Sequence, residues 1–213
     1  METLRELGLK YRTDKMKPYL SHLGLGYMEG YERHFATIRD TVTSVLEIGV
    51  RFGNSLPIWR DYFPKAMVYG LDCNEDCAKL TFGDRVKITI GHQEDSQILA
   101  DLIKLSGGFD IVIDDGSHLV EHQLKSLEVL LPAVRAGGIY AIEDLSCSYM
   151  EDIGRGMVRG GWFYKYLGTD PDTVHNHRAD FDSEILSVIK NLDHLTGDVK
   201  AVHFYTQLCI LEK

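Results

Sequence analysis

Phe109-Asp-Ile-Val-Ile-Asp-Asp-Gly-Ser-His118 opens as an apolar run and closes on two carboxylates, a glycine, a serine and a histidine. A second stretch repeats the form: Gly138-Ile-Tyr-Ala-Ile142 runs into Glu143-Asp144. Short apolar runs bounded by polar turns read as strands. Strands that finish in acids set hard oxygen ligands side by side at the C-terminal edge of a parallel sheet, where open α/β folds bind their ligands. Carboxylates and a histidine at one rim can hold a divalent cation and keep a base beside it. A metal-assisted enzyme is the first expectation.

Outward from these two stretches, runs of strand length alternate with helix-period segments from about residue 42. The expected strands are Thr43–Ile48, Met67–Leu71, Val86–Ile90, Phe109–Ile113 and Gly138–Ile142. Helices are expected near 54–63, 75–80, 96–105 and 119–134, the last with Leu124, Leu127, Val129, Leu130 and Val134 on one apolar face. Such alternation predicts βαβ units with right-handed crossovers and a doubly wound α/β sheet. The chain closes on two strand-like runs, Val199–Tyr205 and Gln207–Glu212, with almost nothing between them. They predict a C-terminal hairpin that adds antiparallel strands to a mostly parallel sheet. Residues 1–40 read as an N-terminal helical cap and 41–213 as the main domain. Within it, 145–182 has no regular period and carries Gly154, Gly156, Gly160, Gly161, aromatics and His175-Asn-His177. A long irregular stretch in a compact domain reads as a lid or a disordered segment.

Composition narrows the function. The 213 residues suit one domain, and the apolar and charged fractions, 44% and 26%, are ordinary for a globular protein. A net charge of -9 without a local lysine/arginine cluster argues against nucleic acid or an anionic membrane as partner. No apolar stretch reaches the roughly 18 residues of a membrane span, and Met-Glu-Thr-Leu-Arg-Glu lacks the core of a signal peptide. Cys73, Cys77, Cys147 and Cys209 are scattered, as expected of reduced thiols in the cytoplasm. Cys73 and Cys77 lack a second pair at zinc-site spacing.

The first strand runs into Glu47-Ile-Gly-Val-Arg-Phe-Gly-Asn-Ser55. Glycines at a strand-to-helix turn let backbone approach a ligand, and the next helix offers free N–H donors. The dinucleotide pattern G-x-G-x-x-G is absent, and Glu47 would repel a pyrophosphate, so a ligand with a cationic amino-acid end fits better. Asp72, ending the second strand, can accept both hydroxyls of a ribose. Asp95, after Gln93 and the third strand, can receive an adenine amino group. Each has a plainer reading: Gly49 and Gly53 as turn residues, Asp72 and Asp95 as helix caps. Their order along the chain favours a nucleoside site.

Together, Glu47-Ile-Gly-x-x-x-Gly53, Asp72, Gln93-x-Asp95, Asp114-Asp115-Gly-Ser-His118 and Gly137-Gly-x-Tyr-x-Ile-Glu143-Asp144 resemble the class I S-adenosylmethionine-dependent methyltransferases. More narrowly the chain is similar to the metal-dependent O-methyltransferases that modify sugars of macrolide and related antibiotics. The likeness covers about residues 10–213, including Thr13-Asp-Lys15, Tyr27, Tyr31-Glu32 and His203-Phe-Tyr205. It implies a Rossmann-like sheet, S-adenosylmethionine as methyl donor, and magnesium (or manganese) as the ion. It also implies a small glycosylated acceptor and a homo-oligomer. Asp115, Glu143 and Asp144 are the implied metal ligands. Thr13, Glu47, Gly49, Gly53, Ser55, Asp72, Gln93, Asp95 and Asp114 are the implied cofactor contacts.

His118 is the candidate general base, since an imidazole titrates near neutrality; it can equally bind substrate or cap a helix. Asp114 can orient a ligand or the histidine. Asp115 and Asp144 also stand where helices begin, so each alone reads as a cap. Lys15 reads as a solvated charge, or as a neighbour of the cofactor by the resemblance, as do Tyr11 and Asp14. His175, His177 and Arg178 read as lid contacts or exposed loop residues. Trp162, Phe163, Tyr164 and Tyr166 read as a wall for the acceptor or as packing under the lid. His203 reads as structural. Three competing functions remain: methylation of a catechol by the same clamp, a cofactor-binding module without catalysis, and a nicotinamide-linked oxidoreductase, which the missing third glycine disfavours.

Overall fold

In a computed structural model, residues 1–17, 26–149 and 176–213 are described. Seven strands form one sheet: β1 (Ser44–Ile48), β2 (Met67–Asp72), β3 (Val86–Ile90), β4 (Phe109–Asp114), β5 (Val134–Ile142), β6 (Ala201–Tyr205) and β7 (Leu208–Glu212). Their order is β3-β2-β1-β4-β5-β7-β6. The first five run parallel, β7 pairs antiparallel with β5, and β6 pairs antiparallel with β7. The doubly wound, mostly parallel sheet with a closing hairpin is the expected architecture, and each expected strand is present within a few residues.

Strand parity divides the core. On one face Val45, Ile111, Ile113, Ile139, Ala141, Leu208 and Ile210 pack against the helices α1 (Leu4–Tyr11), α2 (Tyr27–Phe35) and α3 (Leu56–Tyr62). On the other, Leu46, Ile48, Val112, Tyr140, Ile142, Cys209 and Leu211 meet α4 (Ser96–Ser106), α5 (Val120–Leu130) and α6 (Arg178–Asp193). Residues 1–40 therefore contribute to the main core: Leu4, Leu7, Tyr31 and Phe35 are fully buried beside Trp59 and Phe63.

Three elements differ from the sequence reading. The helix expected over 119–134 stops at Leu130; a 3₁₀ turn follows at Leu131–Ala133, and Val134 opens β5. Pro132 has no N–H to donate, so the α-helical ladder cannot pass it. The stretch near 75–80 is a 3₁₀ helix, Glu75–Lys79, rather than an α-helix. The irregular region ends earlier than 182, because α6 begins at Arg178 and buries Phe181, Ile185 and Val188 at helical spacing. Gly154, Gly156, Gly160, Gly161, Trp162, Phe163, Tyr164, Tyr166 and His175 lie outside the described residues.

Candidate active site

Parity also explains which acids meet. In register, Glu47 pairs with Ile113, and Asp114 pairs with Ile142. One step beyond, Asp115 and Glu143 continue the sheet face of Glu47, toward α1 and α2, whereas Asp114 points to the α4 and α5 side. Lys15, one turn past α1, enters the acidic side: its Nζ lies 3.3 Å from Glu47 Oε1, 2.5 Å from Asp115 Oδ2 and 2.8 Å from Glu143 Oε2. Tyr31 donates its hydroxyl to Glu143 Oε1, and Tyr27 donates to Asp144 Oδ1.

Lys15 is 3% exposed, so the expectation of a solvated charge is corrected. Burial pulls against its charge, yet Asp115, Glu143 and Glu47 outweigh this and hold its pKa well above the ordinary lysine value. Burial, with Asp115 beside it, raises the pKa of Glu143 despite Lys15 and Tyr31. Asp115 and Glu47 are also raised, in each case chiefly by burial and against the pull of Lys15. These acids gather more negative charge than one ammonium neutralises.

Asp144 and His118 complete the rim. Both have positive φ, 55° and 59°, a left-handed conformation that side chains other than glycine rarely adopt, and one that recurs at functional sites. His118 Nε2 lies 3.3 Å from Asp144 Oδ2 and 4.0 Å from Asp115 Oδ1. Ligand atoms of Asp115, His118 and Asp144 all fall within 4.8 Å of one another. His118 Nδ1 is buried without a hydrogen-bond partner among the described residues. Oxygen donors with one imidazole suit a hard divalent cation such as magnesium or manganese, and the excess buried negative charge fits it too. Glu143, the third expected ligand, lies beside this trio with its oxygens hydrogen-bonded to Lys15 and Tyr31.

The rim opens on a cleft of about 790 Å³ whose lining includes Thr13, Gly49, Ser55, Asp72, Gln93, Asp115, His118, Glu143 and Asp144. That volume is in the range that holds a small-molecule ligand. Asp72 Oδ2 accepts the N–H groups of Val50 and Arg51 at 2.8 Å, which fixes the glycine loop. Gln93 ties the loop after β4, donating to Asp114 Oδ1 at 3.1 Å and accepting from Ser117 N at 2.6 Å. Ser55 donates to Glu47 Oε2 at 2.5 Å, so Glu47 is held under the cleft floor rather than at its surface.

The remaining cofactor candidates are placed elsewhere. Asp95 caps α4, its carboxylate accepting from Gln97 and Ile98, and it does not line the cleft. Asp114 is buried behind Gln93, where burial pushes its carboxyl up to about 6. Gly53, at φ 75°, packs where a Cβ would meet the Phe82 ring.

The sequence reading assigned no role to Asn176, which is 3% exposed. Its Oδ1 accepts from Val120 N at 2.9 Å and its Nδ2 donates to Cys147 O at 2.7 Å, joining the start of α5 to the segment after Asp144. A buried asparagine whose two ends reach partners 56 and 29 residues away leaves no local sequence signal. Arg178, one of the lid candidates, pairs with Asp182 and donates to Ser148 Oγ.

Gly49, at φ 91°, lies where a Cβ would come 1.9 Å from the carbonyl oxygen of Asp115. Gly49→Ala is expected to lower stability by about 2 kcal/mol or more, since a rigid backbone cannot yield and the dihedral is itself strained. An unchanged urea midpoint would show that this close approach between the two loops is not required.

No family model matches the chain. It is 33% identical to the 8-demethyl-8-alpha-L-rhamnosyl tetracenomycin-C 2'-O-methyltransferase of Streptomyces olivaceus, over 99% of this chain and 54% of that protein. With demethylmacrocin O-methyltransferase of Streptomyces fradiae it shares 40% identity over 86% of this chain and 47% of that one. Among solved structures it is similar to the MycE methyltransferase of the mycinamycin biosynthetic pathway, in complex with Mg, SAH and mycinamycin VI. That likeness has a TM-score of 0.75 and 30% identity, and covers 100% of this chain and 53% of that one. The chain spans about half the length of these relatives. In sheet order, and in likeness along its whole length, the chain is similar to these methyltransferases. The two named relatives above are both O-methyltransferases.

Proposed function

We propose that this chain carries an S-adenosylmethionine- and magnesium-dependent O-methyltransferase activity toward a hydroxyl on a sugar (a deoxysugar of a glycosylated natural product). The observation that carries this reading is the meeting of Asp115, His118 and Asp144 at the mouth of the cleft built by the Gly49 loop, Asp72 and Gln93. A relative named for 2'-O-methylation of a rhamnosyl tetracenomycin supports the acceptor class.

The methyl donor would supply an electrophilic carbon, and the divalent ion a Lewis acid that makes a neighbouring hydroxyl more acidic. Asp115 and Asp144, which follow the ends of two adjacent strands, would hold the ion. Glu143 lies beside them and can join as a ligand only if Lys15 gives up one of its oxygens. The His118 imidazole, whose Nε2 lies 3.3 Å from Asp144 Oδ2 at the rim, is the candidate group to take the proton of the acceptor hydroxyl. Asp72, fixed by two loop amides, and Thr13 shape the donor side of the cleft. Holding donor and acceptor in line can contribute roughly 7–11 kcal/mol of barrier lowering. The cytoplasm is the proposed compartment, consistent with four unpaired cysteines.

The test is transfer of labelled methyl from S-adenosylmethionine to macrolide glycosides bearing a vicinal diol, with and without EDTA. Turnover that EDTA abolishes and magnesium restores is expected. Metal-independent transfer contradicts the mechanism, and preference for a catechol over every sugar contradicts the acceptor class.

A further inference from the structure

A second set of ligand atoms lies at the far edge of the sheet, and none of its residues lines the cleft. His34 stands in the last turn of α2. His203 is on β6 and Glu212 on β7, and the hairpin register makes them diagonal neighbours, with His203 opposite Ile210 and Glu212 opposite Ala201. Leu208 and Ile210 pack against the α1–α3 core, so Glu212, of the same parity, faces α2 as well. The three side chains converge there.

The distances suit one ion. His34 Nδ1 is 2.6 Å from Glu212 Oε1, and His203 Nε2 is 3.4 Å from the same oxygen. The imidazole rings of His34 and His203 are 4.6 Å apart between centroids. His203 Nε2 is buried and makes no hydrogen bond among the described residues. The other nitrogen of His34, Nε2, lies 2.9 Å from the Tyr205 hydroxyl. A ligating histidine commonly donates its second N–H to a neighbouring group, which fixes its tautomer. With Nε2–H donating to Tyr205, the Nδ1 lone pair of His34 faces Glu212 Oε1, and an ion held by both would replace their 2.6 Å contact.

We propose that His34, His203 and Glu212 form a transition-metal site, distinct from the acidic rim, that takes zinc in preference to magnesium. Two imidazoles and one carboxylate are a zinc donor set with room for a water as fourth ligand. Imidazole nitrogen favours zinc over the hard alkaline-earth cations, which seek an all-oxygen shell. Its ligands come from one helix and two strands, so the ion would clamp α2 to the edge hairpin and stabilise that junction.

The experiment is a zinc titration by calorimetry in excess magnesium, with thermal melting in parallel. Cobalt would then be substituted for zinc as a spectroscopic probe. One zinc per chain that magnesium does not displace is expected, together with a rise in Tm and an intense tetrahedral cobalt spectrum. His203→Gln and Glu212→Gln should each weaken this zinc by at least about tenfold, and Tyr205→Phe by roughly 10–100-fold through loss of the orienting bond. His203 and Glu212 are partly exposed, and circular dichroism of the variants separates loss of a ligand from loss of fold. Asp144→Asn should leave the zinc bound. Failure to bind zinc in magnesium, or equal affinity in His203→Gln and Glu212→Gln, overturns the proposal. Neither result bears on methyl transfer.

Discussion

Asp115→Asn is expected to lower methyl transfer by on the order of 10²–10³-fold with the fold intact. A bound cation stabilises developing charge by several kcal/mol, and each 1.36 kcal/mol is a factor of ten in rate. Asp115 touches both halves of the site, with Oδ2 on Lys15 and Oδ1 facing His118. The amide keeps the shape and removes the charge, so cofactor binding should persist while divalent-ion affinity falls. Calorimetry with S-adenosylhomocysteine and then with manganese separates the two effects. Wild-type turnover in Asp115→Asn would remove this residue from the mechanism.

Lys15→Met carries the largest expected effect on stability. The ammonium is buried among Glu47, Asp115 and Glu143, and the first and last of these are themselves almost fully enclosed. Removing one partner of a buried ion cluster leaves carboxylates without compensation, at a cost of roughly 3–5 kcal/mol. The metal-free variant should therefore unfold at a distinctly lower urea concentration than wild type. Added magnesium should recover more stability in the variant than in wild type, because positive charge is then supplied by the ion alone. An unchanged midpoint without metal would mean that Lys15 does not compensate these acids.

The fold was legible because strand and helix periods alternate cleanly between residues 42 and 142. The acids were legible because they directly follow apolar runs, and parity alone places Glu47, Asp115 and Glu143 on one face and Asp114 on the other. Lys15, Tyr27 and Tyr31 were harder to place: they reach the acids across 100 or more residues, and nothing local in Asp14-Lys15-Met16 signals that the lysine will be enclosed. Asp95 had two readings from the start. A carboxylate just before Ser96 satisfies both the cap rule and the family pattern, and the structure uses it as the cap. The α6 signal was present in Phe181, Ile185 and Val188, but the charges around them and the glycine-rich stretch before them masked its period.

Magnesium and Lys15 both reach for Asp115 in this account, whose central claim is that Asp115 and Asp144 share one ion. Anomalous diffraction from crystals soaked in manganese and S-adenosylhomocysteine tests that claim most directly. The predicted result is a single peak at the cleft mouth in contact with a carboxylate oxygen of each. A cleft that binds the cofactor product while manganese settles elsewhere, with both carboxylates left to Lys15 and Tyr27, would contradict it.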